Sequence, residues 1–370
     1  MHKAGMYIHI PFCIAKCSYC DFLSFAGMEH LYDRYVHELV NEINESRFKE
    51  VTTVYIGGGT PTVLREEHIR AVLEAVSKLP LKQDAEISIE VNPGSVTFSY
   101  LKLLKTLGVN RLSFGLQTSV NSRLRQIGRV HSYEHFLDNL LAAREVGFDN
   151  INVDLIFGLP GQTLSEFEKA LMDIISLTPN HISFYSLTPC ENTPLWDDLA
   201  IGRCILPCDE TDRDMYYTAC KILKDFGYRH YEISNAAIPG FECAHNIDCW
   251  HHVPYIGFGL GAHSYDGYRR WKNPSTFDEY FSSRGCVAEV LSSADLISEA
   301  MILGLRLTDG INESVFESRY GVRPSSYFSK QIEELTVSGL LEFCDQNIRL
   351  TTLGLDFANN VFRQFLQETK

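Results

Sequence analysis

The sequence predicts an α/β fold, a full or partial (β/α) TIM-like barrel followed by a small winged-helix-like domain. Three observations point to it. Apolar, β-branched runs alternate with longer patterns of helical period through the first half of the chain. The runs are apolar nearly throughout, as strands covered on both faces must be. Polar residues and glycines gather where successive runs end, the place where a barrel builds its site.

The strands are expected at Met6–Ile10, Val51–Ile56, Glu86–Val91, Arg111–Gln117, Asn150–Phe157 and His181–Leu187. Helices are expected between them, near Tyr32–Asn44, Arg65–Lys78, Phe98–Leu107, Ser132–Val146 and Leu164–Ser176. Six units in series favour a barrel over a small open sheet. Beyond Tyr231 the pattern changes. Residues Ile233–Trp271 are rich in Gly, His, Cys and aromatics and show little periodicity, so irregular backbone is expected, notably over Pro254–His263. From Ala294 helices return at Ala294–Leu305, Glu313–Tyr320 and Ser329–Ser338. A hairpin, Leu340–Cys344 and Ile348–Leu350 around Asp345-Gln346-Asn347, and a last helix after Thr352 complete the winged-helix-like pattern. Three domains follow: a barrel core over 1–235, a segment over the barrel mouth at 236–290, and a C-terminal domain at 291–370.

With 370 residues and 45% hydrophobic content, the chain can bury a sizeable core. No apolar run is long enough to span a bilayer, and the N-terminus lacks the blocks of a signal peptide, so a cytoplasmic protein without a membrane anchor is expected. Eleven cysteines in such a chain read as thiols or metal ligands rather than a disulfide framework. A formal charge of −14 argues against nucleic acid as a partner, because phosphate binding needs basic surface.

The most specific signal is Cys13-Ile-Ala-Lys-Cys17-Ser-Tyr-Cys20, directly after the first strand and Pro11. Three thiolates can hold three irons of a [4Fe–4S] cube and leave the fourth iron for a small molecule. Clusters that only carry electrons usually have four cysteines. Zinc is the alternative, with His9 as a fourth ligand. Further polar groups mark the strand ends. Gly57-Gly58-Gly59-Thr60-Pro61 follows the second strand, Glu90 closes the third and Gln117 the fourth, and Asp154 sits inside the apolar fifth. A carboxylate in such a run needs a cation or hydroxyl donors, for which Arg129 or sugar hydroxyls are candidates.

These residues resemble the radical S-adenosylmethionine superfamily. Within it, Tyr7-Ile8-His9-Ile10-Pro11-Phe12-Cys13 resembles the branch of oxygen-independent coproporphyrinogen III oxidase and its relative, the heme chaperone HemW. The resemblance implies that Cys13, Cys17 and Cys20 ligate a [4Fe–4S] cluster whose open iron binds S-adenosylmethionine. One electron would then cleave the sulfonium. It also implies cofactor contacts from Tyr7, Tyr19, Gly58, Gly59, Thr60, Glu90, Gln117, Arg129 and Asp154, with the backbone near Thr188 as a further adenine contact.

The resemblance leaves two classes open. The oxidase branch decarboxylates propionates, carries a further cysteine two residues after the third, and has a longer N-terminal extension. Here that position is Phe22, and twelve residues precede Cys13. The chaperone type carries His-Asn-x-x-Tyr-Trp, matched by His245-Asn246-Ile247-Asp248-Cys249-Trp250 with Cys249 in the tyrosine position. The implied function is a HemW-like heme chaperone, with His245 and Cys249 as heme candidates and His251, His252 and His263 as neighbouring alternatives. Its implied partners are heme, an acceptor hemoprotein and an electron donor. The alternatives are a coproporphyrinogen III dehydrogenase, or a His-rich loop that merely packs over the barrel.

Overall fold

The chain is described here by a computed structural model covering residues 2–282 and 288–366. Six strands form its heart: β1 His2–Ile10, β2 Phe48–Gly58, β3 Leu81–Val91, β4 Arg111–Gln117, β5 Asn150–Phe157 and β6 His181–Ser186. They lie side by side in chain order and all parallel. Antiparallel strands at Asn235–Ala237 and Arg229–Glu232 follow β6, so the curved sheet is a partial barrel rather than a closed one. Helices α1 Tyr32–Glu45, α2 Glu66–Ser77, α3 Phe98–Thr106, α4 Tyr133–Val146, α5 Leu164–Ile175 and α6 Asp209–Asp225 connect and cover the strands.

Alternation explains the layering. In β1, Ala4, Met6, Ile8 and Ile10 are fully buried, in one core with Tyr35, Leu39 and Ile43 of α1. Gly5, Tyr7 and His9 point the other way, into the barrel. The helices start where side chains can cap them. Thr97, Ser132 and Thr163 each accept the backbone N–H three residues on, at α3, α4 and α5. The strands begin earlier than the apolar runs do, at Phe48 and Leu81, because polar residues, Lys49-Glu50 and Lys82-Gln83-Asp84, separate those starts from the runs.

The segment 236–290 departs most from expectation. Residues 283–287 lie outside the described residues, and much of the rest forms regular elements, with an irregular turn at 259–262 packed against His9 and Leu23. Strand β7, Tyr255–Phe258, runs parallel to β1 in the register Gly5↔Tyr255 to Ile8↔Phe258. Strands His263–Tyr265 and Arg269–Lys272 extend the sheet beyond it. Glycine at position 257 hides the strand signal, and it is there because a Cβ would run into the His263 carbonyl. The short helix α7, Ala244–Trp250, instead closes the floor of the barrel. It packs against Gly5, Thr53 and Glu86, well below the C-terminal strand ends.

The C-terminal part has a core of its own, built on Met301, Leu305, Ile332, Ile348, Val361 and Phe365. Helices Ser293–Gly304, Glu313–Tyr320 and Ser329–Val337 pack with a three-stranded sheet, Ile311–Asn312, Asn347–Leu350 and Leu341–Cys344. Asp345 and Gln346 both take positive φ, as a tight primed hairpin turn requires. The bridge Glu232↔Leu307 and the bonds from Arg319 to the carbonyls of His251 and His252 tie it to the barrel. Among the described residues no helix is long and apolar enough to cross a membrane.

Candidate functional site

The strand ends surround one cavity of about 490 Å³. Cys13, Cys17 and Cys20 line one wall of it, all as free thiols. The loop that carries them is clamped by the glycine segment after β2. Gly59 N–H donates to the Ile10 carbonyl at 2.9 Å, and Thr60 N–H to the Phe12 carbonyl at 2.7 Å. A Cβ on Gly59 would lie 2.5 Å from the Phe12 oxygen and 3.0 Å from Cys13 Sγ, so only glycine fits between the loops. Thr60 Oγ1 reaches Cys13 Sγ at 3.7 Å. Burial pushes the Cys20 thiol up, so its proton must leave when a metal binds.

His9, the residue weighed as a fourth zinc ligand, is already committed. Its Nε2 bonds the Leu23 carbonyl at 2.8 Å and its Nδ1 meets the Tyr7 hydroxyl at 3.0 Å. Burial lowers its pKa and keeps the ring neutral. Among the described residues no group of three or more His, Cys, Asp or Glu side chains is arranged to hold a single metal ion.

The opposite wall is polar and buried. Glu90 accepts the Gly58 N–H at 3.1 Å and the Tyr55 hydroxyl at 3.1 Å. Burial, then the nearby Asp154, pushes it up to about 7. Asp154 is also raised by burial, against bonds from Asn152, at 2.7 Å, and from Ser183. Gln117 stands at φ 79°, where a bulge in the β4–β5 ladder turns its amide into the cavity. Arg129 donates to Cys17 Sγ at 3.5 Å, to Asn92 Oδ1 at 3.0 Å and to the Gly115 carbonyl, while its Nε has no partner among the described residues. Tyr19 lines the same cavity, its phenol raised by burial, and Thr188 lies on the rim.

The structure thus places every cofactor candidate named from the resemblance around one cavity except Tyr7. Tyr7 sits one layer out, stacked on Tyr55 at 6.4 Å and bonded to His9. The cavity also reaches Asn246 of the heme-signature match, and residues that the sequence reading gave no role: Arg111, Ser113, Asn152 and Ser183. The period of two supplies the missed signal, since Arg111, Ser113, Gly115 and Gln117 share one face of β4.

The heme candidates are placed differently from the expectation. His245 is only 6% exposed. Its Nδ1 bonds Thr53 Oγ1 at 2.9 Å, its ring stacks on Tyr55 at 5.4 Å, and its N–H is capped by Glu86. Burial lowers its pKa to about 4. Cys249 is half-buried on the same helix, and burial pushes its thiol up to about 12. In this fold the pair lies on the short helix at the barrel floor rather than at the mouth. His252 is buried and stacked on Tyr265 at 4.2 Å, whereas His251 and His263 are exposed.

Comparison with known proteins follows this geometry. The Radical SAM superfamily profile matches residues 7–174, and that of the HemN C-terminal domain matches 291–357. Heme chaperone HemW of Bacillus subtilis (strain 168) is 36% identical, with 98% of this chain and 99% of that protein aligned. Heme chaperone HemW of Escherichia coli (strain K12) is 33% identical over 98% of both. Radical S-adenosyl methionine domain-containing protein 1, mitochondrial, of Danio rerio is 32% identical, over 99% of this chain and 87% of that one. Among solved structures, coproporphyrinogen III oxidase (HemN) from Escherichia coli superposes with a TM-score of 0.84 at 26% identity, over 98% of this chain and 90% of that chain.

Proposed function

Since the chain belongs to the radical S-adenosylmethionine superfamily and, within it, to the heme chaperone HemW family, we propose that it holds a [4Fe–4S] cluster on Cys13, Cys17 and Cys20, binds S-adenosylmethionine across the strand ends, and delivers heme to acceptor hemoproteins. The observation that carries this reading is the wall of three free thiols facing a ring of buried polar strand ends across one cavity. Bound and reduced, the cluster supplies one electron to the cofactor's sulfonium.

The chain's own groups prepare that site. Arg129 joins the cysteine loop to β4, donating to Cys17 Sγ and to the Gly115 carbonyl. Gly58 and Gly59 bring backbone close to the cluster loop, and Gln117 and Asp154 offer an amide and a carboxylate to a polar cofactor.

Glu90 gives the reading a pH signature. Free Glu90 is largely protonated below about 7. A cationic ligand beside it favours the ionised form. Cofactor binding must therefore expel a proton at low pH, and affinity should rise by roughly tenfold between about pH 6 and 8. Isothermal titration across that range checks it, and Glu90→Gln should flatten the profile. The same shift makes folding stability fall as pH climbs from 4.5 to about 7, because the folded carboxyl keeps a proton that the unfolded one has released.

Phe22, 63% exposed at the mouth, stands where the oxidase branch carries its further cysteine, and this favours the chaperone class. The likeness to the oxidase fold keeps coproporphyrinogen III dehydrogenase as the second reading. Anaerobic incubation with coproporphyrinogen III, reductant and S-adenosylmethionine separates them. The proposal predicts unchanged substrate, with heme bound in a titration and passed to an apo-hemoprotein. Vinyl-bearing product would favour the second reading.

A further inference from the structure

Arg111 opens β4 at the end opposite Gln117, about 20 Å down the strand from it. It is 2% exposed, yet it lines the cavity. Its Nε is buried without a hydrogen-bond partner, and among the described residues no carboxylate forms an ion pair with it. The nearest candidate, Glu86, is fully occupied. One of its oxygens accepts from Ser88, Cys243 and the His245 N–H, and the other accepts from the Ala244 N–H. Burial opposes the Arg111 charge, and the nearby Glu86 carboxylate favours it without accepting a bond from it. A desolvated guanidinium that no carboxylate meets within hydrogen-bond reach is costly, and a further anion in the lumen would relieve that cost.

The surroundings define that anion. Asn246 reaches the same cavity from α7, and its amide makes no hydrogen bond among the described residues. Ser113 and Asn152 add neutral polar groups. Glu90 and Asp154 lie higher in the same cavity, which disfavours a dianion such as phosphate. One cation with neutral donors matches one carboxylate, and a planar guanidinium binds that group on two oxygens.

We propose that the lower half of the barrel lumen is a carboxylate subsite, with Arg111 as the ionic partner and Asn246 as the amide donor, distinct from the cofactor shell above it. The carboxylate belongs either to a small free acid or to the propionate arm of a porphyrin. The subsite stands independently of the heme reading, and the test separates the two.

Thermal unfolding of the full chain is measured with sodium propionate, with propionamide, and with sodium chloride at equal ionic strength. Propionate alone should raise the midpoint of the wild type. Arg111→Gln should abolish that rise and, without ligand, should leave the midpoint unchanged or higher, because an unpaired buried charge has been removed. A structural ion pair would give the opposite sign. Arg111→Lys should retain part of the effect, and Asn246→Ala should weaken it even if Arg111→Gln fails to fold. Heme and its dimethyl ester are then titrated. If the diacid binds roughly ten- to hundredfold more tightly than the diester in the wild type alone, as loss of a charge-assisted pair implies, the porphyrin arm is the source. Equal binding of the two, with the propionate effect intact, assigns the subsite to a free acid. No difference between propionate and propionamide, together with equal heme and diester binding, overturns the proposal.

Discussion

Alanine at Cys13, Cys17 or Cys20 is expected to strip the chain of iron. A cube held at three corners loses its footing when one is removed, because two thiolates cannot hold the cluster against solvent and free thiols. Iron after anaerobic reconstitution should fall from about four per chain to well below one. The fold should survive, because none of the three thiols belongs to the main core cluster and that core spans all six barrel strands. Circular dichroism and the unfolding midpoint provide that control. Cys190, which lines the cavity rim, provides a second control, and its alanine variant should keep full iron. A Cys17→Ala protein with undiminished iron would remove Cys17 from the site.

The second large effect falls on the floor of the barrel. His245→Ala should destabilise the protein by about 2–4 kcal/mol, through the void beneath Tyr55 and the stranded Thr53 hydroxyl. Heme affinity should change by less than roughly threefold, since an effect on binding needs a ligand that reaches solvent. The exposed His251 and His263 are the comparison, and alanine at either leaves the floor intact. Urea unfolding and an anaerobic heme titration on the same samples separate stability from binding. A variant with normal stability and lost heme affinity would contradict this assignment and make His245 a ligand.

Much of the barrel was legible because its physics is local. Continuous apolar runs mark strands covered on both faces, and β4 and β5 begin and end at the residues those runs indicate. The cysteine spacing and the strand-end polar groups were legible for the same reason, since each follows its strand directly. The floor was not. Its position depends on a contact between residues nearly two hundred positions apart, Thr53 with His245, which no local pattern encodes. Strand β7 was hidden by Gly257, chosen for close approach rather than for strand propensity. Helix α6 was missed because its polar face dominates its composition, although Met215, Ala219 and Leu223 keep a buried stripe. Arg111 and Glu86 were present in the strand alternation, but they lie below the ends to which barrel chemistry draws the eye.

Iron and sulfide counting after anaerobic reconstitution, followed by electron paramagnetic resonance of the reduced protein with and without S-adenosylmethionine, tests the three-thiol site most directly. About four irons and four sulfides per chain are expected, with a cluster signal that shifts when the sulfonium compound is added. A colourless protein holding one zinc, or a four-iron cluster indifferent to S-adenosylmethionine, would contradict it.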